Sequence, residues 1–232
     1  MSKNIWKGSN PTSIYSYWKR QLKSFLLQHF YHRLCINAIR WAGNPRLILK
    51  TDLWAECLDI DQLEGVDESL EICALDVSTS ICETAKPVML GRHIINADVS
   101  KLPFRSEIFD VLIDISTTDQ ISPLEASLVV SEYSRVLRQR GLLVIGIDSK
   151  LSLLWEMYRK LILRYPVYSW MPDRVKVMIA VNDFQIVRAF FGNSLIDSLI
   201  PQVERIRNPI WDAIFSTISQ FYVVIARKSR HS

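Results

Sequence analysis

Glycine is scarce in this chain, with 7 residues in 232. That is less than half of the usual share of about 7%. The seven (Gly8, Gly43, Gly65, Gly91, Gly141, Gly146 and Gly192) stand apart, and no Gly-x-Gly occurs. Collagen-like repeats and flexible linkers are excluded, and so are the usual glycine-rich phosphate and dinucleotide loops. Cysteine is sparse too: Cys35, Cys57, Cys73 and Cys82 show no Cys-x-x-Cys and no zinc spacing, so free thiols in a reducing compartment are expected, and no metal. Gly-x-Ser-x-Gly is absent, which removes support for a hydrolase elbow. Apolar runs fall short of the ~18 residues a membrane span needs. The start Met-Ser-Lys-Asn has no apolar core of a secretory leader, and a cytoplasmic location is expected.

Acids are missing from the first 51 residues, which carry nine Lys or Arg. Residues 52–85 then carry ten acids and no Lys or Arg. The two segments can face one another across one molecule, or the basic one can meet an anionic partner or a membrane surface. The basic stretch is also aromatic. Tyr15, Trp18, Leu22, Phe25 and Leu26 make one helical stripe, and Leu27, Phe30, Tyr31, Leu34, Cys35 and Ala38 a second, rotated one. Gly43-Asn44-Pro45 is a stop signal. Residues 1–45 therefore read as a helical cap, and 46–232 as the domain it covers.

From Arg46 the chain alternates strands and helices. Strand patterns are Leu47–Leu49, Glu71–Val77, His93–Ala97, Phe109–Ile115 and Leu142–Ile147. Helical patterns are Thr79–Met89 and Leu124–Leu137, the latter with Pro123 at its start and Gly141 as its C′ residue. Leu151–Leu163 reads as a further helix, Asn182–Phe191 as another, and Leu195–Arg205 and Ser219–Ala226 as two closing strands. The alternation predicts an α/β fold with a mostly parallel sheet.

Such sheets bind ligands beyond the carboxyl ends of their strands. The residues there are Lys50, Thr51, Asp52 and Glu56, then Asp76, then Asp98 and Val99, then Ser116 and Asp119, then Asp148. Asp76 closes the second strand, where a carboxylate can accept two hydrogen bonds from a ribose diol. It could equally cap the helix at Ser78-Thr79. Asp98 with apolar Val99 suits a purine amine and ring, or else a solvated turn. Asp52 and Glu56 could face a ligand cation or form a solvated acidic helix start. Asp119 is a weak candidate base; an isolated loop acid is more often at the surface.

The order of motifs resembles the class I S-adenosylmethionine-dependent methyltransferases. Asn96-Ala97-Asp98-Val99-Ser100-Lys101-Leu102-Pro103-Phe104, followed by Ile108–Ile113, is similar to one family segment. Glu132-Tyr133-Ser134-Arg135-Val136-Leu137 through Ile145 is similar to the next. Ala74-Leu75-Asp76-Val77-Ser78 resembles the ribose-binding strand, and Phe221–Arg227 the antiparallel last strand. The resemblance implies a Rossmann-like seven-stranded sheet with helices on both faces. It implies S-adenosylmethionine held by Lys50, Asp52, Glu56, Asp76, Asp98, Val99 and Ser116, and methyl transfer to a small, flat or apolar organic acceptor. The departure lies in the first loop. There Lys50 replaces the family's acid, and Asp52, Trp54 and Glu56 stand where it has glycines. A domain that has lost the cofactor and serves as a binding or scaffold module is the alternative. A nucleic-acid partner is not expected, and membrane-surface contact would run through residues 1–51.

Overall fold

The computed structural model describes residues 23–152, 157, 170–192, 219 and 221–229. Its centre is a sheet of seven strands: β1 (Leu47–Lys50), β2 (Glu71–Asp76), β3 (His93–Asn96), β4 (Phe109–Ile115), β5 (Leu137–Asp148), β6 (Phe184–Gly192) and β7 (Phe221–Lys228). Their spatial order is β3-β2-β1-β4-β5-β7-β6. Neighbours from β3 to β5 pair in parallel, and β7 runs antiparallel between β5 and β6. The order therefore reverses at β1 and β4, and sheets of this kind form their ligand crevice at the carboxyl ends of such strands.

The central strands are mostly apolar because both faces are covered. Along β5, Leu142 and Val144 join one buried cluster, while Leu143, Ile145 and Ile147 join the other. Helix α1 (Lys23–Ala42) and the short α2 (Thr79–Ala85) cover the first face, through Phe30, Leu34, Cys35, Ala38, Ile81 and Cys82. Helices α3 (Pro123–Val136) and α4 (Pro172–Ala180) cover the second, through Val129, Tyr133, Val175 and Ile179.

Local signals explain the ends. Helix α1 stops where Gly43 takes φ 94°, donating its N–H to the Arg40 carbonyl. Helix α3 begins with Ser122 as N-cap, Pro123 at its first turn, and a reciprocal bond with Glu125. The two most legible motifs touch one another. The Arg135 guanidinium donates to the carbonyls of Leu102 and Phe104, and Glu132 accepts the Leu102 N–H. Asp110 sits at the opposite end of the sheet from the crevice, accepting from the N–H groups of Arg46 and Leu47 and pairing with Arg138.

Two expectations need correcting, and one element was missed. Arg138–Gly141 is not a helix end: the chain passes from α3 straight into β5, and it is Arg140 that takes positive φ, 64°. Residues 184–191 form a strand, not a helix. Phe184, Ile186 and Phe190 fit the pleat against β7, with a shift in register between Ile186 and Arg188. Helix α4 was not expected, although Pro172 and Asp173 are a proper first turn. The expected N-terminal stripe at 15–26 falls almost wholly outside the described residues. So do most of the expected helix at 151–163 and all of the strand at 195–205.

Candidate functional site

The crevice is lined first by the turn after β1. Lys50 ends that strand and is fully buried, at 0% exposure. Its ammonium donates to the Asp52 carbonyl, to Asp52 Oδ1 at 3.3 Å and to Glu56 Oε2 at 3.1 Å. Three protons thus meet three acceptors. Burial alone would lower the Lys50 pKa, but the two carboxylates more than offset it and hold the lysine charged. Glu56 is also fully buried, and its other oxygen accepts the Gln62 N–H at 3.4 Å. Lys50 and Glu56 therefore face each other, which is not the ligand-facing arrangement expected of them. Asp52 keeps 19% exposure and caps the turn by accepting the Trp54 N–H.

The glycine question has a local answer. None of the residues from Lys50 to Glu56 takes a positive φ. That stretch runs through ordinary backbone and needs no glycine; the left-handed conformation falls later, on Asp59 at φ 63°, which ends the 3₁₀ turn Glu56–Leu58. Trp54 packs partly buried against the cluster beneath α1.

Asp76 ends β2 beside this turn. Its Oδ1 accepts the Ser78 N–H at 2.8 Å, and the Leu53 N–H also addresses the carboxylate. The capping contact is thus present, and the turn after β1 touches the same carboxylate. Burial, and then the nearby Asp52, push the Asp76 pKa up to about 6, against the pull of those N–H groups. Asp98 stands beyond β3 as a turn acid, its Oδ1 taking the N–H and hydroxyl of Ser100. Val99 packs partly buried against the second cluster.

Beyond β4, Ser116 takes φ 63°, an uncommon conformation for a residue with a Cβ. Its Oγ lies 3.0 Å from the Tyr31 hydroxyl of α1. Burial raises the Tyr31 pKa well above that of a free phenol, and Asp148, Asp119 and Asp52 add to the rise. Nearby, Thr51 donates to Thr117 at 3.1 Å, tying the end of β1 to that of β4. Asp114 accepts from Thr117, Thr118 and Tyr133 and anchors this corner to α3.

Asp119 was expected at the surface and is fully buried. Its oxygens accept the Asp148 backbone N–H at 3.0 Å and the Gln120 side chain at 2.9 Å. Burial and the neighbouring Asp148 push its pKa well above the carboxylate range. Both of its oxygens are taken up by these donors, so this geometry suits positioning β5 better than acting as a base.

Sequence reasoning did not find Tyr31, which is one aromatic residue of a helical stripe until the fold brings it over β4. Nor did it find the unpartnered buried polar atoms near Asp148. Gln120 Oε1, Trp170 Nε1, Ser152 Oγ and Ser219 Oγ have no hydrogen-bond partner among the described residues. They lie around the end of β5: Trp170 donates its backbone N–H to the Asp148 carbonyl, and Asp148 pairs in register with Phe221. Among the described residues, no group of His, Cys, Asp or Glu could hold a metal ion, and no helix is long and apolar enough to cross a membrane.

Residues 56–145 match the family model described as the methyltransferase domain. No curated protein matches the sequence. Solved structures match at low identity over nearly all of the chain. The N-methyltransferase NodS from Bradyrhizobium japonicum, solved with S-adenosyl-L-homocysteine, has a TM-score of 0.62 at 10% identity, covering 96% of this chain and 100% of its own. A 1,6-didemethyltoxoflavin-N1-methyltransferase from Burkholderia thailandensis, solved with its acceptor and S-adenosylhomocysteine, has 0.61 at 12%, covering 95% and 87%. The 4+2 cyclase SpnF has 0.62 at 13%, covering 86% and 81%. At these identities the likeness establishes the fold.

Proposed function

We propose that this chain, which carries a methyltransferase domain of the class I, Rossmann-like type, binds S-adenosylmethionine and methylates a small organic acceptor. The observation that carries the proposal is the position of Asp76, at the carboxyl end of β2 beside the strand-order reversal. The donor set fits the cofactor. Asp76 suits the ribose diol, Asp98 and Val99 suit the adenine, and Asp52 is the partly exposed acid left in the β1 turn for the cationic end. Ser116 lines the crevice at the end of β4.

The bound cofactor supplies an electrophilic methyl group. The protein's contribution is orientation and exclusion of water, which supply much of the acceleration for a displacement of this kind. Tyr31 and Ser116 hold the wall at β4. Asp119 and Asp148 set the end of β5. The buried indole N–H of Trp170 and the Gln120 carbonyl oxygen offer a donor and an acceptor to a polar edge of the acceptor molecule. A flat acceptor, with residues 1–45 as its cover, accords with the aromatic content of the cap and with the toxoflavin precursor methylated by one structural neighbour.

Calorimetric titration with S-adenosylmethionine tests this reading. Saturable heat is expected, and D76A should weaken binding about tenfold or more through lost charge-assisted bonds. Absence of heat at millimolar ligand, in a folded sample, would sink it. The second reading is a binding or scaffold module, favoured by the buried ion pair in the β1 turn. That reading predicts this silent titration.

A further inference from the structure

We infer that the Lys50–Glu56 ion pair is a positioning brace that takes over the shaping role of the absent glycines, leaving Asp52 alone in the β1 turn to address a ligand's charge. The inference rests on the cofactor reading above and concerns how the same site is held.

A glycine loop gets its shape from backbone freedom, and this turn does not use that freedom, since no residue from Lys50 to Glu56 has positive φ. Its shape comes from side chains instead. Lys50 reaches forward to the Asp52 carbonyl and to Glu56, and Glu56 reaches on to the Gln62 N–H. One buried pair thereby pins residues 50, 52, 56 and 62 to each other. Both members are fully buried, so the pair contributes no net charge to the crevice. Asp52 differs in being partly exposed, and it is the turn's other acid.

The brace also reaches the ribose end. The Leu53 N–H, inside the pinned turn, addresses the Asp76 carboxylate. Disturbing the pair therefore shifts the backbone against Asp76, whereas D52N keeps the backbone carbonyl and an Oδ1 that can accept from Lys50 and from the Trp54 N–H, so that its main effect is the loss of charge. The two roles are separable with two probes. S-adenosylmethionine carries a sulfonium and an ammonium. 5′-Methylthioadenosine has the same adenosine but neither charge.

The test is calorimetric titration of both probes into wild type, D52N, K50M/E56L and E56D, each checked for folding by circular dichroism. D52N should weaken S-adenosylmethionine about tenfold and leave 5′-methylthioadenosine within about twofold. K50M/E56L should weaken both probes by a similar factor, about fivefold to tenfold, through lost preorganisation. E56D keeps the charge and shortens the reach by one methylene, so it should give the same parallel loss even where the double variant does not fold. Unchanged affinities in folded K50M/E56L or E56D would reduce the pair to a stability element and overturn the inference. A loss confined to S-adenosylmethionine in those variants would overturn it too, by making the pair a reader of charge. Wild type that binds neither probe would remove the cofactor reading and this inference together, and is told apart from the other outcomes before any variant is made.

Discussion

The Tyr31 hydroxyl stands 3.0 Å from Ser116 Oγ and joins α1 to the strained residue that follows β4. Two substitutions separate bond from strain. S116A loses the bond and keeps a Cβ at φ 63°. S116G loses the bond and relieves the strain. S116G should therefore be the more stable by about 1 kcal/mol. Y31F, which removes the bond alone, should cost about 0.5–1.5 kcal/mol. Urea unfolding of the three variants measures both terms. Equal stability of S116A and S116G would mean the conformation is not strained.

The buried pair in the β1 turn makes a larger prediction. K50M leaves Glu56 without its cation, and breaking a buried pair from one side costs about 3–5 kcal/mol. Replacing both members, in K50M/E56L, should recover most of that loss. The pH dependence fixes the sign. In K50M the folded-state pKa of Glu56 stands above its unfolded value, since burial is no longer opposed. The stabilising form is then the protonated one, so the K50M defect should shrink as pH falls and grow as pH rises. A defect independent of pH would show that Glu56 is not the stranded group.

Much of this architecture is legible because its signals are local and repeated. The continuously apolar run Leu142–Ile147 needs cover on both faces, and the clusters on either side of β5 supply it. Ser122-Pro123 with Glu125 starts a helix wherever it is met. The strand Phe184–Gly192 was misread because Phe, Ile and Val at mixed spacing suit either period. The choice is made by β7, a partner distant in the sequence, and by a bulge that breaks the alternation.

The positions of the candidate residues were legible in the sequence, and their orientations were not. Asp52, Asp76 and Ser116 do stand at strand ends, where a parallel sheet puts its ligand. What the position could not tell is which way a side chain turns. Lys50 and Glu56, six positions apart, meet only because the turn after β1 folds back on itself. Asp119 is a loop acid by sequence, yet the Asp148 N–H draws it inside. Tyr31 is 85 positions from Ser116, a separation that no local pattern bridges.

Arg135 latches α3 to the Leu102–Phe104 loop through two carbonyls and the Glu132 carboxylate. That loop continues from Asp98 and Val99, so the latch supports the proposed adenine end. R135A should destabilise the fold by about 1.5–3 kcal/mol, the range for hydrogen bonds to a charged group. R135K keeps the charge but has no planar fork to span both carbonyls, so it should rescue less than half of that loss. Thermal unfolding of the two variants decides it. Full rescue by lysine would mean the guanidinium geometry is not what holds the loop.

Asp76 gives the cofactor reading a pH signature. Its pKa is raised to about 6, chiefly by burial. Only the ionised carboxylate accepts two bonds from a diol, so affinity for S-adenosylmethionine should strengthen as pH rises through about 6. Stability should move the other way. A folded pKa above the unfolded one means that the folded state holds the proton more tightly. The Asp76 contribution is then fullest below the unfolded pKa and is lost as pH rises towards about 6. D76N removes both trends, since an amide does not titrate in this range. Titrations at about pH 5 and about pH 7.5, with unfolding curves at the same two values, test the opposed slopes. An affinity that rises equally in D76N would show that Asp76 is not the titrating group and would remove it from the ribose role.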